Sequence, residues 1–277
     1  MNKFFVVFFL TFSSFIHSMA YAIDEEFPYR ARYPSVEIIS TVELSKRFNE
    51  VLVIDVRTKY EFDTLRIKDA VHAPLGAGFA QKMVQLRAQY KKPFVFYCNG
   101  KTCVKSYDAV LFAAKAKHRD LYAYDAGVFD WAMAQPEKAA LLGRSPIKPG
   151  DLIDEKSFKA RLIEPDDFAQ RVDTNSIVLD VRDRGQRDAA LFLFKEQRAQ
   201  LDDVMKIDAV IEQARAQKKT LLVYDQAGKQ VQWLQYYLVH KNLKDYYFMK
   251  GGAQAHYDAT LGRVAHNSDD KDKKSVK

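Results

Sequence analysis

Sulfur is scarce in this chain: its 277 residues include two cysteines, Cys98 and Cys103. They lie so close in sequence that a bridge between them would close little chain and stabilise little. Structural stapling is therefore not their expected use. Zinc is poorly served as well, because no second cysteine pair and no histidine pair stands at ligand spacing. Basic clusters interleaved with aromatics are missing too. The net charge of +7 is spread among Asp and Glu along the whole chain, which leaves no footprint for nucleic acid. Phe4 to Leu10, an unbroken apolar run, is too short to span a bilayer.

That run has another use. Lys3 supplies a positive start, Phe4 to Leu10 an apolar core and Ala20-Tyr21-Ala22 a cleavage pattern. Residues 1–22 are therefore expected to be a signal peptide. The destination this implies is a bacterial periplasm, with no stable membrane insertion after cleavage. No cysteine adjoins the cleavage point, which argues against a lipid anchor. Losing Lys3 and no acid takes the formal charge from +7 to +6. At the other end, 263–277 carries Asp269-Asp270-Lys271-Asp272-Lys273-Lys274 and is expected to be a solvated, disordered tail.

Between these ends, a hydrophobic fraction of 48% allows one or two domains with real cores. Phe94-Val95-Phe96-Tyr97 reads as a buried strand that delivers Cys98 to its end. Asn99, Gly100 and Lys101 form a tight polar loop, and Thr102 leads on to Cys103. From Cys103 the pattern turns helical, with Val104, Tyr107, Leu111 and Ala114 on one stripe. Strand, loop and helix would set the Cys98 thiol before free backbone N–H groups. Such a place favours a thiolate, or equally a bound oxyanion. Lys101 and Lys105 add positive charge close by. The same position also suits a small core residue, and an oxidising compartment leaves a Cys98–Cys103 disulfide open.

Taken in order, Val36 to Ile39 is expected as a strand, and Ser40-Thr41-Val42-Glu43 as a capping box that opens a helix with Leu44 and Phe48 inward. Val51 to Val56 is a strand ending at Asp55-Val56-Arg57. Phe79 to Tyr90 is helical, Leu121 to Tyr124 a strand, and Ala126-Gly127 precedes Trp131. This alternation predicts α/β domains with parallel sheets flanked by helices. Much of it then recurs. Lys91 to Cys98 is echoed by Lys218 to Asp225, Asp55-Val56-Arg57 by Asp180-Val181-Arg182, and Ala126-Gly127 by Gly251-Gly252, at offsets of 127, 125 and 125 residues. Two copies of one domain are expected, over 35–142 and 157–262, joined by a linker at 143–156.

Asp55-Val56-Arg57, Glu61-Phe62, Ile67 to Pro74, the Cys98 loop and Ala126-Gly127 together resemble the rhodanese family of sulfurtransferases. The resemblance implies a Cys98 persulfide, charged by a small sulfur-containing anion such as thiosulfate. The sulfur would pass to a thiol or cyanide acceptor, with no metal or organic cofactor. It gives Asp55 and Arg57 a supporting role, and leaves any protein partner open. Leu65-Arg66 and Asp69 depart from the family's Gly-His and Gly. The loop is similar to a Cys-Asn-Gly-x-x-Cys-x-Lys-Ser variant through Lys105 and Ser106.

In the second copy Asp225 replaces the cysteine, which predicts that this copy is silent. A Cys-x5-Arg phosphatase or arsenate-reductase loop would need Arg where Val104 stands. By position, His72 and His256 are expected to be structural. Three uses of the cysteine pair remain: a sulfurtransferase acting through Cys98, a non-catalytic redox-sensing or binding protein with a Cys98–Cys103 disulfide, and a thiol-disulfide oxidoreductase.

Overall fold

The computed structural model describes residues 26–187 and 189–261. The expected signal peptide and charged tail lie outside the described residues. The chain divides into two compact units between Asp151 and Leu152.

The first unit holds strands β1 (Leu52–Asp55), β2 (Leu65–Ile67), β3 (Val71–His72), β4 (Phe94–Tyr97), β5 (Leu121–Tyr124) and β6 (Ala139–Leu141). Four of them form a parallel sheet in the order β3-β1-β4-β5, while β2 pairs antiparallel with β6. Every residue of β1 and β4 is buried, as expected of parallel strands covered on both faces. The segment expected as a strand at Val36 to Ile39 reduces to one parallel bridge, Ile38 to Ala123 on β5.

Helices α1 (Thr41–Lys46), α2 (Lys59–Thr64), α3 (Phe79–Gln89), α4 (Lys105–Lys115) and α5 (Gly127–Ala134) complete this unit. Ser40 caps α1 by accepting the Glu43 N–H at 3.2 Å. Leu44 is buried, but Phe48 falls beyond the helix and stacks on Trp131. A reciprocal capping box sits instead at α2, between Thr58 and Glu61.

Helix α4 corrects two expectations. It starts at Lys105 rather than Cys103, because a turn closed by the Cys103 N–H on the Gly100 carbonyl occupies the residues between. Its buried face is Ser106, Tyr107, Ala109, Val110 and Ala113, while Leu111 and Ala114 are exposed. Small side chains let the helix lie close on β4 and β5; the bulkier Leu111 and Phe112 are left outside.

The second unit holds α6 (Glu155–Lys159), β7 (Leu162–Ile163), α7 (Pro165–Gln170), β8 (Ser176–Asp180), β9 (Glu196–Arg198), α8 (Val204–Gln217), β10 (Thr220–Tyr224), α9 (Val231–His240) and β11 (Tyr246–Met249), then a helix over 252–261. Its sheet is parallel, in the order β7-β11-β10-β8-β9. Matching β7 with the Ile38 bridge, β11 with β5, β10 with β4, β8 with β1 and β9 with β3 makes the two orders coincide. Among the described residues no helix is long and apolar enough to cross a membrane.

Candidate active site

The fold carries Cys98 to the C-terminal end of β4, next to the centre of the sheet. Cys98 is wholly buried, and Cys103 is half-buried at the far end of the loop. The two are joined as a disulfide, with Cα atoms 6.4 Å apart. The Cys98 sulfur also lies 3.3 Å from the Cys103 carbonyl oxygen and 3.9 Å from the Ser106 hydroxyl. Lys105 opens α4 immediately beyond, and Thr102 is exposed on the loop.

The loop is held from below by a buried ion pair. The Arg57 guanidinium lies against both Asp55 carboxylate oxygens, with Nε to Oδ1 at 3.0 Å and Nη2 to Oδ2 at 2.6 Å, and both side chains are fully buried. Burial alone would lower the Arg57 pKa, but the Asp55 charge outweighs it and raises the value. Arg57 also donates to the Leu65 carbonyl and, at 3.1 Å, to the Asn99 side-chain oxygen. Asn99 in turn donates to Glu61 Oε1 at 2.8 Å. Burial pushes the Glu61 carboxyl up, yet hydrogen bonds from Asn99 and Thr58 and the Arg57 charge hold it below the usual range. The first loop residue is thus fixed by a chain running Asp55, Arg57, Asn99, Glu61.

From above, the loop rests on the turn that follows β5. The Val128 N–H donates to the Cys98 carbonyl at 3.1 Å. Gly127 has φ of 77°, and a Cβ there would sit 2.4 Å from the Gly100 backbone. Only glycine allows this approach.

The side chain of Lys101 is engaged on the rim. Its ammonium pairs with Glu26 at 2.7 Å and Asp130 at 3.3 Å, which raise its pKa. Residues 26–33 lie over this side of the loop as a strap. Arg30 covers the Phe27 ring and pairs with the buried Asp125 at 2.7 Å, while Asp125 accepts the Tyr107 hydroxyl at 2.7 Å. Tyr33 stacks on Tyr107 and donates to Asp108 at 2.9 Å. Sequence reasoning missed the strap and the Asn99–Glu61 link. Thr58-x-x-Glu61 was the one available signal, as a capping pattern.

His72 lies at the end of β3, its Nε2 2.9 Å from the Arg57 carbonyl oxygen and its ring stacked on Phe62. Among the described residues no group of three or more His, Cys, Asp or Glu is placed to hold a metal ion.

The second unit repeats the frame with another occupant. Arg182 clasps Asp180 at 2.9 and 3.0 Å, and the Ala253 N–H donates to the Asp225 carbonyl at 2.8 Å. At the Cys98-equivalent position, the buried Asp225 carboxylate accepts four backbone N–H groups of its own loop. Oδ1 takes those of Ala227 and Gly228, and Oδ2 those of Gln230 and Val231.

A strand-end cysteine, an Asp–Arg clasp beneath its loop and a glycine pressed upon it mark out one segment of the chain. Residues 40–134 match the family model of the rhodanese-like domain. This rhodanese-like segment runs from the N-cap of α1 to the end of α5 and contains the whole Cys98 loop. No curated protein matches the chain in sequence. Solved structures similar to it include the BH2092 protein from Bacillus halodurans (18% identity, 50% of this chain and 98% of that one, TM-score 0.35). A thiosulfate sulfurtransferase from Pseudomonas aeruginosa has 16% identity over 83% of this chain and 46% of its own, with a TM-score of 0.37. An As-Sb reductase from Leishmania major has 17% identity over 45% and 97%, with a TM-score of 0.34.

Proposed function

We infer that the rhodanese-like domain is a sulfurtransferase in which Cys98 carries sulfur as a persulfide. The observation that carries this reading is the position of Cys98 at the end of β4, facing the first turn of α4. A sulfur there lies 3.9 Å from the Ser106 hydroxyl in that first turn, at the helix end whose dipole favours negative charge. Reduction frees the Cys98 thiolate, which attacks the outer sulfur of a donor such as thiosulfate and expels sulfite. The Asp55–Arg57–Asn99–Glu61 chain positions the loop and touches no reacting atom. Lys101, held by Glu26 and Asp130, contributes to the rim and not a free charge.

The reading extends to an exported, periplasmic protein, on the strength of residues 1–22, and to a second copy that is silent because its carboxylate cannot carry sulfur. A redox-sensing reading is favoured by one observation, the Cys98–Cys103 disulfide.

The test uses reduced protein, thiosulfate and mass spectrometry of the Cys98 peptide. One added sulfur atom on Cys98 in Cys103→Ser, and none in Cys98→Ser, is the expected result. Sulfur found on Cys103 alone would overturn the assignment of the nucleophile.

A further inference from the structure

Resting on the persulfide reading of Cys98, we propose that Cys103 is the resolving thiol, so that the domain reduces sulfane sulfur to hydrogen sulfide and is recharged by a dithiol reductant.

Three observations meet here. Cys98 is fully buried whereas Cys103 is half-buried on the rim, so an acceptor from solution encounters Cys103 first. The Cα separation of 6.4 Å lies inside the usual bridging range of roughly 4.4–6.8 Å. The turn closed by the Cys103 N–H on Gly100 and the contact of Gly127 with that same residue keep the loop in this shape. A thiol held in this way competes at an effective concentration that dissolved thiols do not match.

The step balances without an outside oxidant. The Cys103 thiolate attacks Cys98 Sγ, and the bond from that Sγ to the outer sulfur breaks. The outer sulfur leaves with the electron pair as hydrosulfide, while a bond forms between the two Sγ atoms. The outer sulfur gains one electron and the Cys103 sulfur loses one, while Cys98 Sγ exchanges one S–S bond for another and keeps its oxidation state. The Cys103 proton goes to solvent. A dithiol then reduces the disulfide, first attacking the more exposed Cys103 sulfur and expelling the Cys98 thiolate towards the α4 N-terminus. Sulfite comes from the charging step and sulfide from the resolving step, so the reactions around this protein must supply a dithiol and consume sulfide.

Reduced protein, freed of reductant, is given one equivalent of thiosulfate or inorganic polysulfide, and sulfide, free thiols and intact mass are measured together. Wild type is expected to release one sulfide per chain, lose both thiols and gain no mass. Cys103→Ser and Cys103→Ala should instead retain one sulfur on Cys98 and release no sulfide. A wild-type protein that holds a stable persulfide with Cys103 still titratable overturns the resolving role and leaves the persulfide reading standing. If wild type and both variants take up no sulfur from either donor, the persulfide reading falls, and this inference with it.

Discussion

Asp225→Ala should destabilise the second unit substantially. In the native loop the carboxylate accepts N–H groups from Ala227, Gly228, Gln230 and Val231. Alanine removes both acceptor oxygens and so all four hydrogen bonds at once. A buried donor left unsatisfied costs about 1–3 kcal/mol. Ala227 is exposed and Gly228 and Gln230 are half-buried, so water replaces part of the loss there; Val231 is buried and stays dry. A net loss of about 3 kcal/mol follows, roughly a hundredfold in the folding equilibrium. The chain's two tryptophans, Trp131 and Trp233, are both buried, and Trp233 lies in the second unit. In a Trp131→Phe background, Trp233 fluorescence during urea unfolding therefore reports this unit. Added sulfate or acetate should restore part of the loss by entering the vacated cradle. Asp225→Asn, which keeps one oxygen and adds an unwanted donor, should fall between. A loss below about 0.5 kcal/mol, the scatter of ordinary surface substitutions, would refute the claim that the carboxylate holds this loop.

Two further outcomes concern the first unit. Glu61 has a depressed carboxyl pKa, so its stabilisation is present above the unfolded value of about 4.3 and lost as pH falls through the folded value. Wild type should exceed Glu61→Gln in stability at pH 7, with the gap closing as acid is added; a pH-independent gap in urea unfolding contradicts this. Gly127→Ala places a methyl group against the Gly100 backbone at positive φ, and should cost about 3 kcal/mol from strain and overpacking together. Its crystal structure should show the Cys98 loop displaced, and an unmoved loop would disprove the packing argument.

The sheet, its central strands and the cysteine at the end of β4 were legible because buried parallel strands leave dense apolar runs such as Phe94 to Tyr97. The Asp-x-Arg strand ends were legible as motifs, and their clasps prove alike in both units. The register of α4 was not. Pattern reading favours large apolar residues, whereas close packing on a sheet selects small ones, here Ser106, Ala109 and Ala113. The strap could not be read at all, since its contacts join Glu26 and Arg30 to residues 75 and 95 positions away. Nor does the letter Asp at 225 reveal that its carboxylate would fold back on its own amides.

Those long separations bear on the order of synthesis. Glu26, Phe27 and Arg30 leave the ribosome before the sheet and the Cys98 loop are made. Asp125 and Asp130, which anchor the strap and share Lys101 with it, emerge only after both cysteines. During that interval the loop has no strap over it, and its thiols meet whatever redox couple surrounds the growing chain. The state of the sulfur pair is therefore open to decision before the strap closes on the finished unit.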